Sequence, residues 1–395
     1  MYYALSDKTL GLSEQVAKAT MGVDALYRRE TGFTDLHDGL VVLNMANVPP
    51  EPFADYAEAQ ERLSDLARQA LSLPEPDRRL YYTQACTSLW SFCQWRQDRL
   101  PEISDQIGLF LHVDPSPASQ AQLDAHSKKL YGLLGEAGYA GDLKARIDAW
   151  ERKNLVPADE VQGTMDEMMV EARERTGNIL ELPENDFYHC ETVPSAAFNA
   201  SSDYGNRRVI VNTAPVLTTQ KLKHLVCHEV YPGHFMQFTL RRVAWERGIG
   251  GLDGTLSVCN HSSSCTFEGI ADCGAAFLGW EEDIDDAVSA LISVIQSALG
   301  TAASHRLHTL GWPRDRVADF LRENAPGGGE GWVANRMGFI SDPARAALIW
   351  SYWRGDQGVF PVWGRVPRED RPAFFEYIYN RLHTVQSLQL FRRGD

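Results

Sequence analysis

A mainly helical chain with a small β-sheet, an α+β protein by class, is what this sequence predicts. Three observations carry that expectation. Apolar residues recur at helical spacing through most of the chain, only two segments alternate in the manner of strands, and a His-Glu segment lies in one of the amphipathic helices. Leu63, Leu66, Ala67, Ala70 and Leu71 follow the i, i+3, i+4, i+7, i+8 order of one buried helix face. Comparable signals place helices near 13–29, 77–98, 120–136, 157–175, 217–246, 264–280, 285–309, 313–323, 343–354 and 371–390, with Asp342-Pro343 as a start signal for the second-last. The strand-like segments are 186–193 and 207–213, with Asp203-Tyr204-Gly205-Asn206 as turn material between them. Gly327-Gly328-Gly329 reads as a loop hinge, since no Lys-Ser/Thr follows to make it a phosphate cradle.

A chain of 395 residues can bury a large core, and its 44% apolar and 23% charged residues are ordinary for a globular protein. The expected division is a helical N-terminal region over 1–155 and a metal-binding region over 156–395, the two forming one continuous unit. A net charge of −15 argues against a nucleic-acid partner, which requires clustered Lys and Arg. The amino terminus lacks the basic start and apolar run of a signal peptide, and no stretch approaches eighteen uninterrupted apolar residues. Seven cysteines in no compact framework read as reduced thiols, so a cytoplasmic location and no membrane partner are expected. Oligomeric state is not readable from the sequence.

The most informative segment is Cys227-His228-Glu229-Val230-Tyr231-Pro232-Gly233-His234. Zinc hydrolases commonly set two His at i and i+4, about 40° apart on a helix turning ~100° per residue. Here the spacing is i to i+6, which on a regular helix separates the rings by roughly 120°. Pro232 cannot donate to the helix ladder and Gly233 tolerates nearly any φ, so a bulge inside the helix is expected to return His234 to the face of His228. The insertion is expected to serve site geometry rather than folding.

A zinc site needs a further protein ligand. Glu268, in Thr266-Phe267-Glu268-Gly269-Ile270-Ala271-Asp272, opens a second helix, with Asp272 one turn on to orient a ligand imidazole from behind. In this reading His228, His234 and Glu268 hold the metal and Glu229 is the general base. His224 and His228, at i and i+4, form a rival pair, but no acid follows His224. Cys259, His261, Cys265 and Cys273 match no ordinary zinc spacing, while Cys86, Cys93, Met165, Met168 and Met169 read as core.

The blocks His-Glu-Val-Tyr-Pro-Gly-His-Phe-Met-Gln (228–237), Phe-Glu-Gly (267–269) and His-Thr-Leu-Gly-Trp (308–312) resemble the bacterial "domain of unknown function 885" family. That family is similar to the gluzincin metallopeptidases, helical zincin-like proteins with a small sheet beside the His-Glu helix. The resemblance covers roughly 185–390. It implies ligands at His228, His234 and Glu268, a base at Glu229, and a motif histidine at His308. It also implies that 207–213 is an edge strand able to pair with extended substrate. Ile270 and Ser304 depart from the family pattern, where an aromatic and an acid are usual. The expected activity is hydrolysis of an amide bond in a small peptide or peptide-like substrate, with one Zn2+ per chain. His308, Tyr352, Arg345 and Arg354 are candidates to stabilise the oxyanion, and either Arg could clamp a substrate carboxylate. Two His and one carboxylate also suit Fe2+ in an oxygenase that tailors a non-peptide metabolite, and a catalytically silent scaffold is the third reading.

Overall fold

Ser6 starts the first helix by accepting the Thr9 amide on its hydroxyl, and Gly32 ends it in a left-handed conformation that returns its N–H to Arg28. The computed structural model describes residues 4–35, 38–184, 187–196 and 198–392. From the N-terminus the elements are α1 (Asp7–Thr31), β1 (Val41–Asn44), α2 (Tyr56–Ala70), α3 (Pro76–Arg96) and α4 (Ile103–Gln106). They continue as α5 (Gln120–Glu136), α6 (Leu143–Asn154), α7 (Val161–Gly177), β2 (His189–Val193), β3 (Ala200–Asp203), β4 (Arg208–Asn212) and α8 (Thr219–Glu229). Next come α9 (His234–Glu246), β5 (Leu256–Val258), α10 (Ser264–Asp272), α11 (Gly274–Leu278) and α12 (Ile284–His308). The last are α13 (Arg314–Asn324), α14 (Gly329–Ser341), α15 (Trp350–Trp363), α16 (Arg371–Tyr379) and α17 (Val385–Leu388). With 62% helix and 6% strand, the protein is mainly helical with small sheets, as expected.

Contacts divide the chain into two compact units, one of Met1–Pro115, Met236–Ile270 and Arg354–Asp395, the other of Ser116–Phe235 and Ala271–Trp353. The division differs from the 155/156 boundary read from the sequence. The helices α9, α10 and α15 each run from one unit into the other.

In the first unit, Leu63, Leu66 and Ala70 of α2 are buried as the periodicity requires, while Leu71 caps the helix and is exposed. Cys86 and Cys93 are buried thiols of α3. Val41 pairs with Val258 in an antiparallel β1–β5 ladder that the sequence reading missed. Several buried polar groups here are paired. Tyr81 and Tyr82 both donate to Asp253 at 3.0 Å, and Arg78 donates to Asp77 at 3.0 Å and to the Leu382 carbonyl at 2.9 Å.

In the second unit, a three-stranded sheet runs β2-β4-β3, with β2 parallel and β3 antiparallel to β4. The expected edge strand 207–213 is therefore the central strand. Its backbone is committed on both sides, and it cannot pair with an extended substrate. Asp186, the start of the first predicted strand, lies outside the described residues. Met165 and Met169 are buried, in line with a core role. By length and composition α12 could cross a membrane, but 72% of its most apolar window is buried within the protein, as in a core helix.

Several helices are divided or start later than predicted. The 264–280 helix is divided into α10 and α11 at Cys273, and the 371–390 helix into α16 and α17. The chain after Asp342-Pro343 is a series of turns, and α15 begins only at Trp350, so Arg345 lies on no helix.

Candidate metal centre

Thr218 opens α8 by accepting the Lys221 amide. The helix stops at Glu229, since Val230 has left helical geometry and Pro232 has no amide proton to extend the ladder. The amides of Val230 and Tyr231 both return to the Val226 carbonyl at 3.0 Å, closing the last turn. Gly233 then passes so close to the carbonyls of Cys227 and His228 that a Cβ there would overlap them. A new helix starts at His234. The expected bulge within one helix is therefore a break between two, with the same effect on the rings. His228 and His234 face each other at 4.6 Å between centroids, their planes 79° apart.

Glu268 arrives from α10. The neighbouring Gly269 lies against Gly355 of α15, and a side chain on either glycine would enter the other helix's backbone. The Gln237 amide of α9 donates to the Phe267 carbonyl at 3.0 Å, and Arg241 holds Gln237 at 2.6 Å. These contacts fix the backbone on either side of Glu268. One ligand atom each from His228, His234 and Glu268 lie within 4.8 Å of one another, with both His buried and Glu268 half-buried.

His228 sets its Nδ1 2.8 Å from Asp272 Oδ1, which makes Nε2 the nitrogen turned away from that carboxylate. A second group, His224, His228 and Asp272, also gathers within 4.8 Å. His224 Nε2 is 3.5 Å from the same Asp272 oxygen. Asp272 already orients His228, so the second group is better understood as the support behind the first. Burial, reinforced by the Lys221 charge, pushes the His224 imidazole down to about 3, so it stays neutral. The donor set of two imidazoles and one carboxylate, backed by a carboxylate, fits a zinc-type ion.

Glu229, the last residue of α8, is buried. Tyr188, on the approach to β2, sits on the Phe235 ring at 4.2 Å and shares a hydrogen bond with Ser202 at 3.2 Å. Burial raises its phenol far above the usual range, and the Glu229 charge adds to that shift. Tyr188 and Lys221 had no role in the sequence reading. Lys221 could have been found from its i, i+3, i+7 spacing with His224 and His228, whereas nothing in the sequence brings Tyr188 to Glu229.

The remaining candidates are placed as follows. His308 ends α12, where its Nε2 meets the Ile340 carbonyl at 2.7 Å, a contact that ties the end of α12 to α14. Tyr352 makes an edge contact with Phe339. Arg345 faces Asp342 at 3.6 Å, and Arg354 is bound to Asp114 by its Nη2 at 2.9 Å and to that residue's carbonyl by its Nε at 3.0 Å. The structure thus brings together His228, His234, Glu268 and Asp272, while His308 contacts Ile340, Arg345 faces Asp342 and Arg354 binds Asp114. Among the described residues, Cys259, His261, Cys265 and Cys273 form no metal-binding group.

No family model matches the chain, and no curated protein matches it. Among solved structures it is similar to a "putative lipoprotein" of Colwellia psychrerythraea, at 14% identity and TM-score 0.54, covering 84% of this chain and 68% of that one. A "putative lipoprotein of unknown function" from Shewanella oneidensis aligns at 13% identity and TM-score 0.49, covering 85% of this chain and 74% of that one. The first likeness shows a shared fold.

Proposed function

We propose that the protein is a zinc-dependent hydrolase of amide bonds in small peptides or peptide-like metabolites, of the gluzincin kind that its motif blocks resemble. The gathering of His228, His234 and Glu268, with Asp272 behind His228, is the observation that carries this reading. Zinc bound there would acidify a water and polarise a carbonyl. The carboxylate of Glu229, adjacent in sequence to one ligand and itself buried, would accept a proton from water and deliver it to the leaving amine. Tyr188, packed on Phe235 next to the ligand His234 in sequence, would be a candidate hydrogen-bond donor to developing negative charge. An oxygenase has no need of an acid at position 229, so hydrolysis uses more of what the chain carries. Seven cysteines outside any disulfide suit a reducing compartment, and a cytoplasmic location is part of this proposal.

The deciding measurement is elemental analysis of the purified protein, combined with peptide hydrolysis by the zinc-loaded form. About one zinc per chain with hydrolysis supports the reading. Stoichiometric iron without hydrolysis replaces it with oxygen chemistry, and no bound metal in either His228→Ala or the parent removes it.

A further inference from the structure

A pocket opens to solvent within the second unit, and its roughly 490 Å³ of empty space includes part of that open solvent. Its walls include Trp150 and Trp332, and its single lysine is Lys221. Trp150 is fixed by donating its indole N–H to Asp285 at 2.9 Å. One rim is the triple-glycine loop, in which Gly327, Gly328 and Gly329 all have positive φ. The Glu151 carboxylate accepts the Gly328 N–H at 2.8 Å, and a Cβ at Gly328 would press on Trp332. The loop is therefore a fixed wall rather than the hinge its composition suggests.

Charge in this cavity is unbalanced in a specific way. Glu151 is engaged by the backbone, and burial raises its pKa toward the neutral form. No hydrogen bond or ion pair reaches the Lys221 ammonium from any described residue. Burial lowers it to about 8, and the charges of Asp272 and Glu229, neither of them bonded to the ammonium, offset that only in part. No Arg lines the cavity, so the site suits a single carboxylate rather than a doubly charged phosphate. Lys221, His224 and His228 fall at i, i+3 and i+7 of α8, hence on one face. Seven residues of helix rise about 10 Å, the length of roughly three extended residues.

We propose that this cavity binds the carboxylate of a ligand with an apolar or aromatic body, the carboxylate paired with Lys221 and the body against Trp150 and Trp332. Joined to the hydrolase reading, on which this second step rests, it receives the carboxyl-terminal residue of a short peptide. The amide to be cut then lies two to three residues upstream, at the His228 end of α8.

The test is calorimetric titration of the metal-free protein, in chelator, with N-acetyl-phenylalanine and with its uncharged C-terminal amide. The acid is expected to bind at least about tenfold more tightly than the amide. Lys221→Met should bring the acid down to the affinity of the amide, Lys221→Arg should restore part of the preference, and Trp332→Phe should weaken both ligands. Equal binding of acid and amide by the parent overturns the proposal, as does a preference that survives in Lys221→Met or an absence of binding by either. The two readings fail separately. An acid preference in a protein that hydrolyses no peptide after zinc is restored sinks only the hydrolase, and hydrolysis without any acid preference sinks only the carboxylate site.

Discussion

His228 and Asp272 meet through Nδ1 and Oδ1 at 2.8 Å, across two helices whose sequence positions are 44 residues apart. The contact fixes which imidazole nitrogen faces away from the carboxylate, and so which one can bind a metal. Asp272→Asn should therefore weaken zinc binding by about 10- to 100-fold without removing a ligand. Competition against a chromophoric chelator would measure it. An unchanged affinity would mean that Asp272 does not orient His228 in solution.

Glu229→Gln should keep both fold and metal while lowering peptide hydrolysis by about 10²- to 10⁴-fold, because the amide cannot accept a proton at neutral pH. Metal content by elemental analysis and turnover by amine release separate the two effects. Loss of metal in this variant would make Glu229 a ligand.

Gly233→Ala should harm both stability and metal binding. The added methyl would overlap the carbonyls of Cys227 and His228, so the turn must shift. A cost of about 1–3 kcal/mol is the usual consequence of such crowding. The sequence alone suggested that this insertion matters only to site geometry, and the close carbonyls revise that. Denaturant midpoints in chelator would report the stability part, and zinc affinity the other. A variant with the parent's midpoint would show that the turn can yield freely.

Acid stability should depend on Asp77. Burial alone would raise its carboxyl, but Arg78, His383 and Arg381 outweigh burial and hold it at about 2, below the unfolded value of 3.8. A depressed carboxyl contributes stability that is present above pH 3.8 and lost as pH falls through about 2, worth roughly 2 kcal/mol in this mostly buried setting. Asp77→Asn should destabilise the protein at pH 7 and flatten the loss of stability between pH 4 and pH 2. Parallel acid limbs in parent and variant would contradict this.

Much of the candidate centre was legible because its signals are local. His228, Glu229 and His234 sit within seven residues, and Glu268 with Asp272 have the i, i+4 spacing that any helix converts into a shared face. Periodicity likewise marked α2, α12 and most other helices. What escaped depends on contacts between distant segments. The pairing of β1 with β5 joins short strands that carry no alternation of their own. The central place of β4 follows from β3, whose Ala-Ser-Ser-Asp sequence has no strand signature. The helix expected after Pro343 fails because the start signal at Asp342 was not matched by a helical course in the next residues. The match of Gly269 to Gly355 is invisible without the packing of α10 on α15.

The pairing of Val41 with Val258 has a consequence for how the protein is made. A ribosome adds about 5–20 residues per second, so β1 emerges some 10 to 40 seconds before its partner strand exists. During that interval the apolar side chains of Val41 and Leu43 have no ladder to join, and α1 to α3 must collapse around an incomplete sheet. A gene truncated before codon 256 would therefore yield a product whose β1 lacks its partner strand.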